Sequence, residues 1–328
     1  MTESPFLTHL KALLIMAWRF VQPSVTPLWV CVSFVRGSIM RQPHFFDEIN
    51  YESCAFLTLW LCCDSVAGMF VTFLGTGTSF GVPRLGCSCK VCTSPDPRDF
   101  RNRSSVFIIG DGGERILIDV SPEFRFQALK AHITGIDAVF ITHVHADHVH
   151  GLDDVRPFTR EKPLPLFIAK SEHAELLQKF DYVFNFQQPS GGLPKLDLKI
   201  IDQTITVGTV VVTPLHVMHG NRPILGFRLN NFVYITDCSF IPQETLKLCA
   251  DANVVVLDGL RHRPHPTHFT ITQALETARQ MQPERCYLTH LCHDLLHTEI
   301  EAFCADYVAS KGLSFFAGPA YDSLTITC

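Results

Sequence analysis

Three histidines and an aspartate fall within six residues, directly after the apolar run Ala138–Ile141. Imidazole nitrogens and carboxylate oxygens are ligands that suit Zn, Mn or Fe ions. His143 and His145 are two residues apart, so an extended chain end points both the same way. Asp147 and His148 then come from the turn or the start of the next helix and can face a second ion. A polar surface turn that happens to be rich in histidine is the alternative, but the segment predicts a dinuclear metal site.

Later strand-like runs end in further candidate ligands. His216 and His219 close one run, Asp237 follows the next, and His290 follows Cys286–Thr289. A polar residue at the end of an apolar strand is often only a solvated end. Three such ends after the first motif favour one shared site.

Cys87, Cys89 and Cys92 also lie within six residues. Three thiolates at this spacing can wrap one tetrahedral Zn and leave one corner for a distant residue. Reduced cysteines in a surface loop are the alternative.

Short strands and helices must position these groups. The predicted strands are Met69–Leu74, Ser105–Ile109, Arg115–Asp119, Ala138–Thr142, Leu166–Ala169, Thr209–Leu215, Ile224–Leu229, Asn231–Ile235, Val254–Asp258 and Cys286–Thr289. The predicted helices are Pro122–Ala131, Ser171–Lys179, Gln243–Ala250, Thr270–Met281 and Leu296–Ser310. Asn230-Asn231 predicts a hairpin turn, and Phe186–Pro194 predicts a surface loop or lid. Strand clusters punctuated by helices predict a layered α/β fold with helices covering two sheets.

The composition limits the function classes. A chain of 328 residues with 47% hydrophobic residues can bury a sizeable core. A net charge of −5 argues against a general nucleic-acid or anionic-membrane binder. The 13 cysteines show no regular disulfide pattern, which favours a reducing compartment and a cytoplasmic protein.

The first 68 residues differ from the rest of the chain, because they contain scattered prolines and show no hydrophobic period of two or 3.6 residues. The charge-free stretch Phe20–Val35 is too short and too interrupted by proline for a membrane span of about 20 residues. We predict an N-terminal extension over residues 1–68, or an upstream mis-start of translation, and a working domain over 69–328. A membrane-associating leader is the competing interpretation.

The order of the candidate ligands resembles that of the metallo-β-lactamase fold hydrolases. A His-x-His-x-Asp-His motif, a single His, a single Asp and a final His follow one another as in that family, over residues 69–328. The resemblance implies an αββα sandwich of two mixed sheets flanked by helices, with metals in the cleft along one edge of the sheets. It implies that one ion is held by His143, His145 and His219. It implies that the second ion is held by Asp147, His148 and His290, and that Asp237 bridges the two. His219 is preferred to His216 because the family's ligand lies just before a glycine-containing turn.

Four local features resemble the phosphoribosyl cyclic phosphate phosphodiesterases within that family. They are the opening Phe73–Thr78 followed by Gly81-Val82-Pro83, the cysteine cluster, the segment Leu288–His293, and His268 in the loop after Asp258. The resemblance implies that His293 completes a structural Cys₃His zinc site and that His268 is an active-site histidine outside the metal shell. His268 and Asp147 are the predicted catalytic residues.

Two further features could meet a substrate phosphate. The glycine-rich loop Gly75–Gly77 can cradle a phosphate, although a tight turn explains it equally well. Arg156 is a candidate phosphate contact, and a surface arginine paired with Asp153 or Asp154 is the alternative.

The implied reaction opens a small cyclic phosphate ester, similar to phosphoribosyl cyclic phosphate. Two divalent ions, Mn or Zn, about 3.5–4 Å apart would share the hydroxide that attacks phosphorus. His268 would give a proton to the leaving ribose oxygen. The expected partner is therefore a small phosphate ester. No stable membrane span is expected in the protein, and the sequence is compatible with a homodimer.

Three rival functions share the fold. A tRNA 3′-processing endonuclease would grip RNA phosphates with basic groups, but residues 69–328 carry 23 Lys and Arg against 27 Asp and Glu and no basic arm. A thioester or lactone hydrolase fits the metal ligands as well. A scaffold without activity would typically have lost ligands, whereas all seven are present.

Overall fold

The computed structural model describes residues 68–185 and 192–328. The predicted extension over residues 1–68 lies outside the described residues, apart from Gly68, and so do residues 186–191 of the predicted loop. The start of the working domain at Met69 stays a prediction.

The first sheet has seven strands in the order β14-β1-β2-β3-β4-β5-β6. They are β1 (Phe70–Gly75), β2 (Ser105–Ile109), β3 (Arg115–Ile118), β4 (Ala138–Phe140), β5 (Leu164–Ile168), β6 (Leu196–Ile200) and β14 (Thr325–Thr327). Pairing is antiparallel from β14 to β3 and parallel from β3 to β6. The sheet is therefore mixed.

The second sheet repeats this plan in the order β13-β12-β11-β10-β9-β8-β7. It contains β7 (Ile205–Val207), β8 (Val210–His219), β9 (Arg222–Leu229), β10 (Phe232–Ile235), β11 (Val254–Asp258), β12 (Arg285–Thr289) and β13 (Phe316–Pro319). Pairing is antiparallel from β7 to β10 and parallel from β10 to β13.

Seven α-helices accompany the sheets in the described residues. They are α1 (Phe124–Lys130), α2 (Ala146–Val149), α3 (Lys170–Lys179), α4 (Asp181–Phe184), α5 (Gln243–Cys249), α6 (Ile271–Met281) and α7 (His297–Ser310). Two 3₁₀ segments cover Pro97–Asp99 and Leu152–Thr159. None of the helices within 68–185 and 192–328 has the length and apolar character needed to cross a bilayer.

Three layers of apolar side chains hold the sheets and helices together. The central layer joins the facing sides of the two sheets, for example Phe140 of β4 and Phe227 of β9, whose rings meet at 5.3 Å. One outer layer packs β3 to β5 against α1 and α3. The other packs the second sheet against α5, α6 and α7. Alternate residues of each strand thus face a different layer, which gives the predicted αββα sandwich.

Helix α6 shows how the sequence sets an outer layer. Thr270 caps its first turn, and its side-chain oxygen accepts from the backbone N–H of Gln273 while the Gln273 side chain accepts from the Thr270 N–H. Ala274, Leu275 and Ala278 then recur at the helical spacing and are fully buried against the second sheet.

Candidate metal centre

The chain that follows β4 presents the first two candidate ligands. It runs extended through His143 and His145 before α2 begins at Ala146. His143 is fully buried and His145 is half-buried. The Nε2 atom of His143 lies 2.9 Å from Nδ1 of His145, so both rings turn a nitrogen to one point, as the two-residue spacing predicts.

The next two candidate ligands lie in the first turn of α2. Asp147 and His148 are both buried, and Oδ2 of Asp147 is 3.2 Å from Nε2 of His148. The helix start therefore places a carboxylate and an imidazole side by side, and the His148 ring lies next to the His143 ring, with centroids 4.2 Å apart.

Strand ends supply the remaining candidates. His219 is the last residue of β8, Asp237 lies two residues after β10, and His290 directly follows β12. Asp237 and His290 have positive φ angles of 53° and 57°, a conformation that residues other than glycine rarely adopt. Such backbone strain is typical of functional sites, where the surrounding structure holds it.

The side chains gather into two adjoining groups whose ligand atoms lie within 4.8 Å of one another in each group. The groups are His143, His145 and His219, and Asp147, His148, Asp237 and His290. The structure thus brings together all seven residues proposed as metal ligands. His216, the alternative to His219, is exposed instead.

Asp237 faces both groups with different oxygens. Its Oδ2 atom is 3.9 Å from Nε2 of His143 in the first group. Its Oδ1 atom is 3.3 Å from Nε2 of His148 and 3.3 Å from Nε2 of His290 in the second group. A carboxylate placed in this way could serve an ion in each group.

Unpartnered buried atoms show that the site fits metal ions. Nε2 of His148 and Nε2 of His290 are buried and have no hydrogen-bond partner among the described residues. Buried polar atoms are rarely left unpaired, and both nitrogens face carboxylate oxygens across a gap that a cation would fill. Nitrogen and oxygen donors of this kind accept Zn, Mn or Fe.

The pKa shifts also indicate that the buried carboxylates of this centre stabilise positive charge. Burial lowers the pKa of His143 well below its usual value. Burial also disfavours the charged form of His290, but Asp237 and its neighbouring carboxylates outweigh it and raise the His290 pKa to about 9. Burial opposes ionisation of Asp237, yet His290 and His148 hold its pKa well below the usual range.

A second layer of hydrogen bonds fixes the ligand rings. Nδ1 of His148 donates to Oδ2 of Asp119 at 2.7 Å, and Nδ1 of His219 donates to the carbonyl of Thr267 at 2.9 Å. These bonds turn the Nε2 atoms towards the metal centre and orient the rings. Asp119 is fully buried, and its φ of 61° is again left-handed.

His268 lies beside the metal centre and is held by a buried acid. Its Nδ1 donates to Oδ2 of Asp258, the last residue of β11, at 2.7 Å. The His268 ring stacks on the His290 ring with centroids 4.7 Å apart. Nε2 of His268 is therefore left to face the cleft, where it can pass a proton to a bound molecule.

The cysteine cluster and His293 also come together. The Sγ atoms of Cys87, Cys89 and Cys92 lie 3.4, 3.4 and 3.6 Å from Nδ1 of His293. A hydrogen bond from the Cys92 backbone lowers the pKa of Cys89 to about 6, whereas burial raises the pKa of Cys92 to about 11. Four converging S and N donors match a tetrahedral zinc site.

Of the two proposed phosphate contacts, Arg156 lies outside the cleft beside His268, and the N–H groups of the glycine-rich loop already have hydrogen-bond partners. Arg156 donates to the carbonyl of Gly192 at 2.6 Å and does not line the cleft beside His268. In the glycine-rich loop, the N–H groups of Thr76 and Gly77 already donate to Asp322 at 3.0 Å and to a carbonyl at 2.7 Å. Close backbone packing thus accounts for this loop.

Sequence reasoning missed the residues that support the ligands. Asp119 and Asp258 end apolar strands just as Asp237 does, so the same signal was available for them. Glu172 gave no signal, because it sits in the first turn of an ordinary amphipathic helix. Its carboxylate nevertheless accepts from the backbone N–H of Val144, between two ligands, at 2.8 Å.

Comparison with known proteins agrees with this fold and site. Residues 114–291 match the family model described as beta-lactamase superfamily domain. The chain belongs to this superfamily, and the predicted αββα fold is confirmed. Fold, family and site together are those of a metal-dependent hydrolase.

Among solved structures, the crystal structure of a new diphosphatase from the PhnP family is 36% identical, with a TM-score of 0.71, and the match covers 79% of this chain and 97% of that one. The resemblance to this branch is thereby confirmed. Zn²⁺-bound PqqB from Methylobacterium extorquens has a TM-score of 0.65 over 78% of this chain and 99% of that one, and its 18% identity shows the fold alone.

A relative known from its sequence is named octanoyltransferase, from Porphyromonas gingivalis. It is 42% identical over 230 residues, which are 69% of this chain. This chain spans only 46% of the length of that protein.

Proposed function

We propose that this protein is a dinuclear metal-dependent phosphodiesterase that opens a small cyclic phosphate ester similar to phosphoribosyl cyclic phosphate. The observation that carries the proposal is the pair of ligand groups on either side of Asp237, with His268 beside them. The 36% identity to a PhnP-family diphosphatase over nearly its whole length supports phosphoryl chemistry.

The residues divide the work of holding two ions. His143, His145 and His219 would hold one, and Asp147, His148 and His290 the other, with Asp237 shared. Two bound divalent ions supply positive charge for phosphoryl oxygens and lower the pKa of water towards neutrality. Asp119 keeps the His148 ring oriented, and Asp147, whose Oδ2 lies 3.2 Å from Nε2 of His148, would supply a second anionic ligand.

His268 would act on the leaving group. Asp258 accepts from Nδ1 and fixes the orientation of the ring, so that Nε2 can give a proton to the ester oxygen as the cyclic ester opens. Cys87, Cys89, Cys92 and His293 would hold a structural zinc that takes no part in the reaction.

In the test, the full chain loaded with Mn²⁺ is incubated with ribose 1,2-cyclic phosphate. The metal is then removed with a chelator, and the products are identified by ³¹P NMR. Ring opening to one monophosphate, lost together with both ions in Asp237→Ala, is the expected result. Absence of turnover with two ions bound at the centre would overturn the proposal.

The relative named octanoyltransferase favours one second candidate, an acyl thioester hydrolase of the same fold. An octanoyl thioester and a simple diphosphate therefore belong in the same assay. Faster hydrolysis of the thioester than of the cyclic phosphate would select the second candidate, and preference for the diphosphate would redirect the phosphodiesterase assignment to phosphoanhydrides.

A further inference from the structure

A cleft of about 230 Å³ opens beside the metal centre. Its inner wall contains His268 and His290, and its outer wall contains Phe80, Arg84 and Arg261. A molecule whose reacting group lies at the metals must therefore extend past two guanidinium groups.

The arginines of this cleft differ in whether their charge is compensated. Arg263 is paired with Asp294, with 3.0 Å between Nη2 and Oδ2. Arg84 and Arg261 have no carboxylate within 4.0 Å in the described parts of the chain, and Arg261 donates only to the carbonyl of Arg263, at 3.4 Å. Two uncompensated cations in one small cleft repel each other unless an anion lies between them.

Phe80 prepares one of these cations for binding. The Arg84 guanidinium lies over the Phe80 ring, 4.6 Å from its centroid, while the Phe80 side chain is 62% exposed. Stacking on the ring occupies the face of the guanidinium and leaves its N–H edge free. That edge is the part that binds two phosphate oxygens at once.

We infer that Arg84 and Arg261 form a subsite for a second phosphate of the substrate, separate from the phosphoryl group that reacts at the metals. The inference rests on the proposed function, since it assumes phosphate chemistry at the metal centre. Phe80 is a positioning residue, because it acts through Arg84. The protein is acidic as a whole, with a net charge of −5, so the two free arginines concentrate anion attraction in this cleft.

The test compares two substrates that differ only in the second phosphate: 5-phosphoribosyl 1,2-cyclic phosphate and ribose 1,2-cyclic phosphate. For each variant the ratio of the two kcat/KM values is measured. Arg84→Gln and Arg261→Gln should each lower the ratio by about 10- to 100-fold, which corresponds to the loss of one charge-assisted hydrogen-bonding group. Phe80→Leu should lower it by a smaller factor, through KM.

Arg263→Gln is the matched control, because Arg263 lines the same cleft but is already paired with Asp294. Its ratio should change by less than about threefold, within the range of surface charges. An equal fall in all three arginine variants would indicate a general field effect and overturn the subsite. An unchanged ratio in Arg84→Gln and Arg261→Gln would overturn it as well.

A binding measurement separates failure of the subsite from failure of the proposed function. Ribose 5-phosphate is titrated calorimetrically into the metal-loaded full chain. Weaker binding in Arg84→Gln and Arg261→Gln than in Arg263→Gln supports the subsite even if neither cyclic ester is hydrolysed. Equal binding in all three variants overturns the subsite even if both cyclic esters are opened.

Discussion

At the scale of single residues, the geometry favours a role for His268 as a general acid over a role as a metal ligand. It lies within 4.8 Å of ligand atoms on both sides of the centre, yet its Nδ1 is committed to Asp258. His268→Ala should lower kcat by about 10²- to 10⁴-fold, the usual contribution of a general acid, while both ions stay bound. Metal content by mass spectrometry checks this, with Asp237→Ala as the variant that loses both ions. Loss of an ion in His268→Ala would make His268 a ligand.

His297 provides a residue-scale prediction about pH. Burial, aided by Arg98 and Arg101, lowers its pKa from 6.5 to about 4, against the opposing charges of Glu301 and Asp96. The unfolded chain therefore binds more protons than the folded chain between these values, so the free energy of unfolding rises with pH in this window. The contribution is complete above about pH 6.5 and is lost as the pH falls towards 4.

Comparison with His297→Phe isolates this effect, because phenylalanine keeps a ring against Tyr321, 5.6 Å away, and does not titrate. Urea unfolding of both proteins is measured from pH 4 to 7. The stability of the wild type relative to the variant should fall by up to about 1.4 kcal/mol per pH unit below pH 6.5. Parallel stability curves would contradict the prediction.

At the scale of secondary-structure elements, one buried carboxylate joins the pieces that carry the first ligand group. Glu172 of α3 accepts from the N–H of Val144, between His143 and His145, at 2.8 Å. It also accepts two hydrogen bonds from Arg222 of β9, both at 2.8 Å, and Arg222 is the register partner of His219 on β8. A helix, a loop and a strand pair are thus held in one arrangement by a single side chain.

Glu172→Gln should weaken the ion held by His143, His145 and His219 by about 10- to 100-fold, as expected when a supporting partner is removed. The affinity for the ion proposed at Asp147, His148 and His290 should fall less. The matched control is Glu175→Gln, because Glu175 also accepts from Arg222, at 2.6 Å, but within residues 68–185 and 192–328 it makes no hydrogen bond to the segment that carries His143 and His145. Metal titration of both variants decides, and equal affinities would contradict the role of Glu172.

The same elements show what the sequence could and could not predict. Strands β2 and β11 have the predicted bounds, because both are continuous apolar runs. Strands β6, β7, β13 and β14 were not predicted. They are the four edge strands of the two sheets, and β13 contains Gly318 and Pro319, which argue locally against a strand.

The site divides in the same way. Candidate ligands that follow apolar strands, such as Asp237 and His290, are marked by local pattern. The contacts of Glu172 with Val144 and Arg222 depend on how α3 packs against the sheet, and no periodicity encodes that. Local pattern therefore predicts the candidate ligands, and the tertiary structure decides which residues hold them in place.

At the scale of the whole molecule, the candidate zinc site joins segments about 200 residues apart. The loop of Cys87, Cys89 and Cys92 follows the first strand, whereas His293 lies three residues after the candidate ligand His290. A metal that ties such distant segments stabilises the folded state, because the unfolded chain lacks the preformed site. It also restrains the backbone that places His290 directly after β12 of the second sheet.

Cys89→Ser should therefore release one zinc ion, lower the thermal midpoint by at least about 5 °C, and weaken the ion bound at His290 without changing its ligands. Cys328→Ser is the matched control, because Cys328 is also half-buried and unpaired but lies in none of the candidate metal groups. Zinc content, thermal unfolding and metal titration at the candidate metal centre are measured on the same samples. If Cys89→Ser lost zinc but kept both its thermal midpoint and its affinity at His290, the cysteine cluster would bind metal without supporting the fold. If it kept its zinc with unchanged affinity, Cys89 would not be one of the ligands of this site.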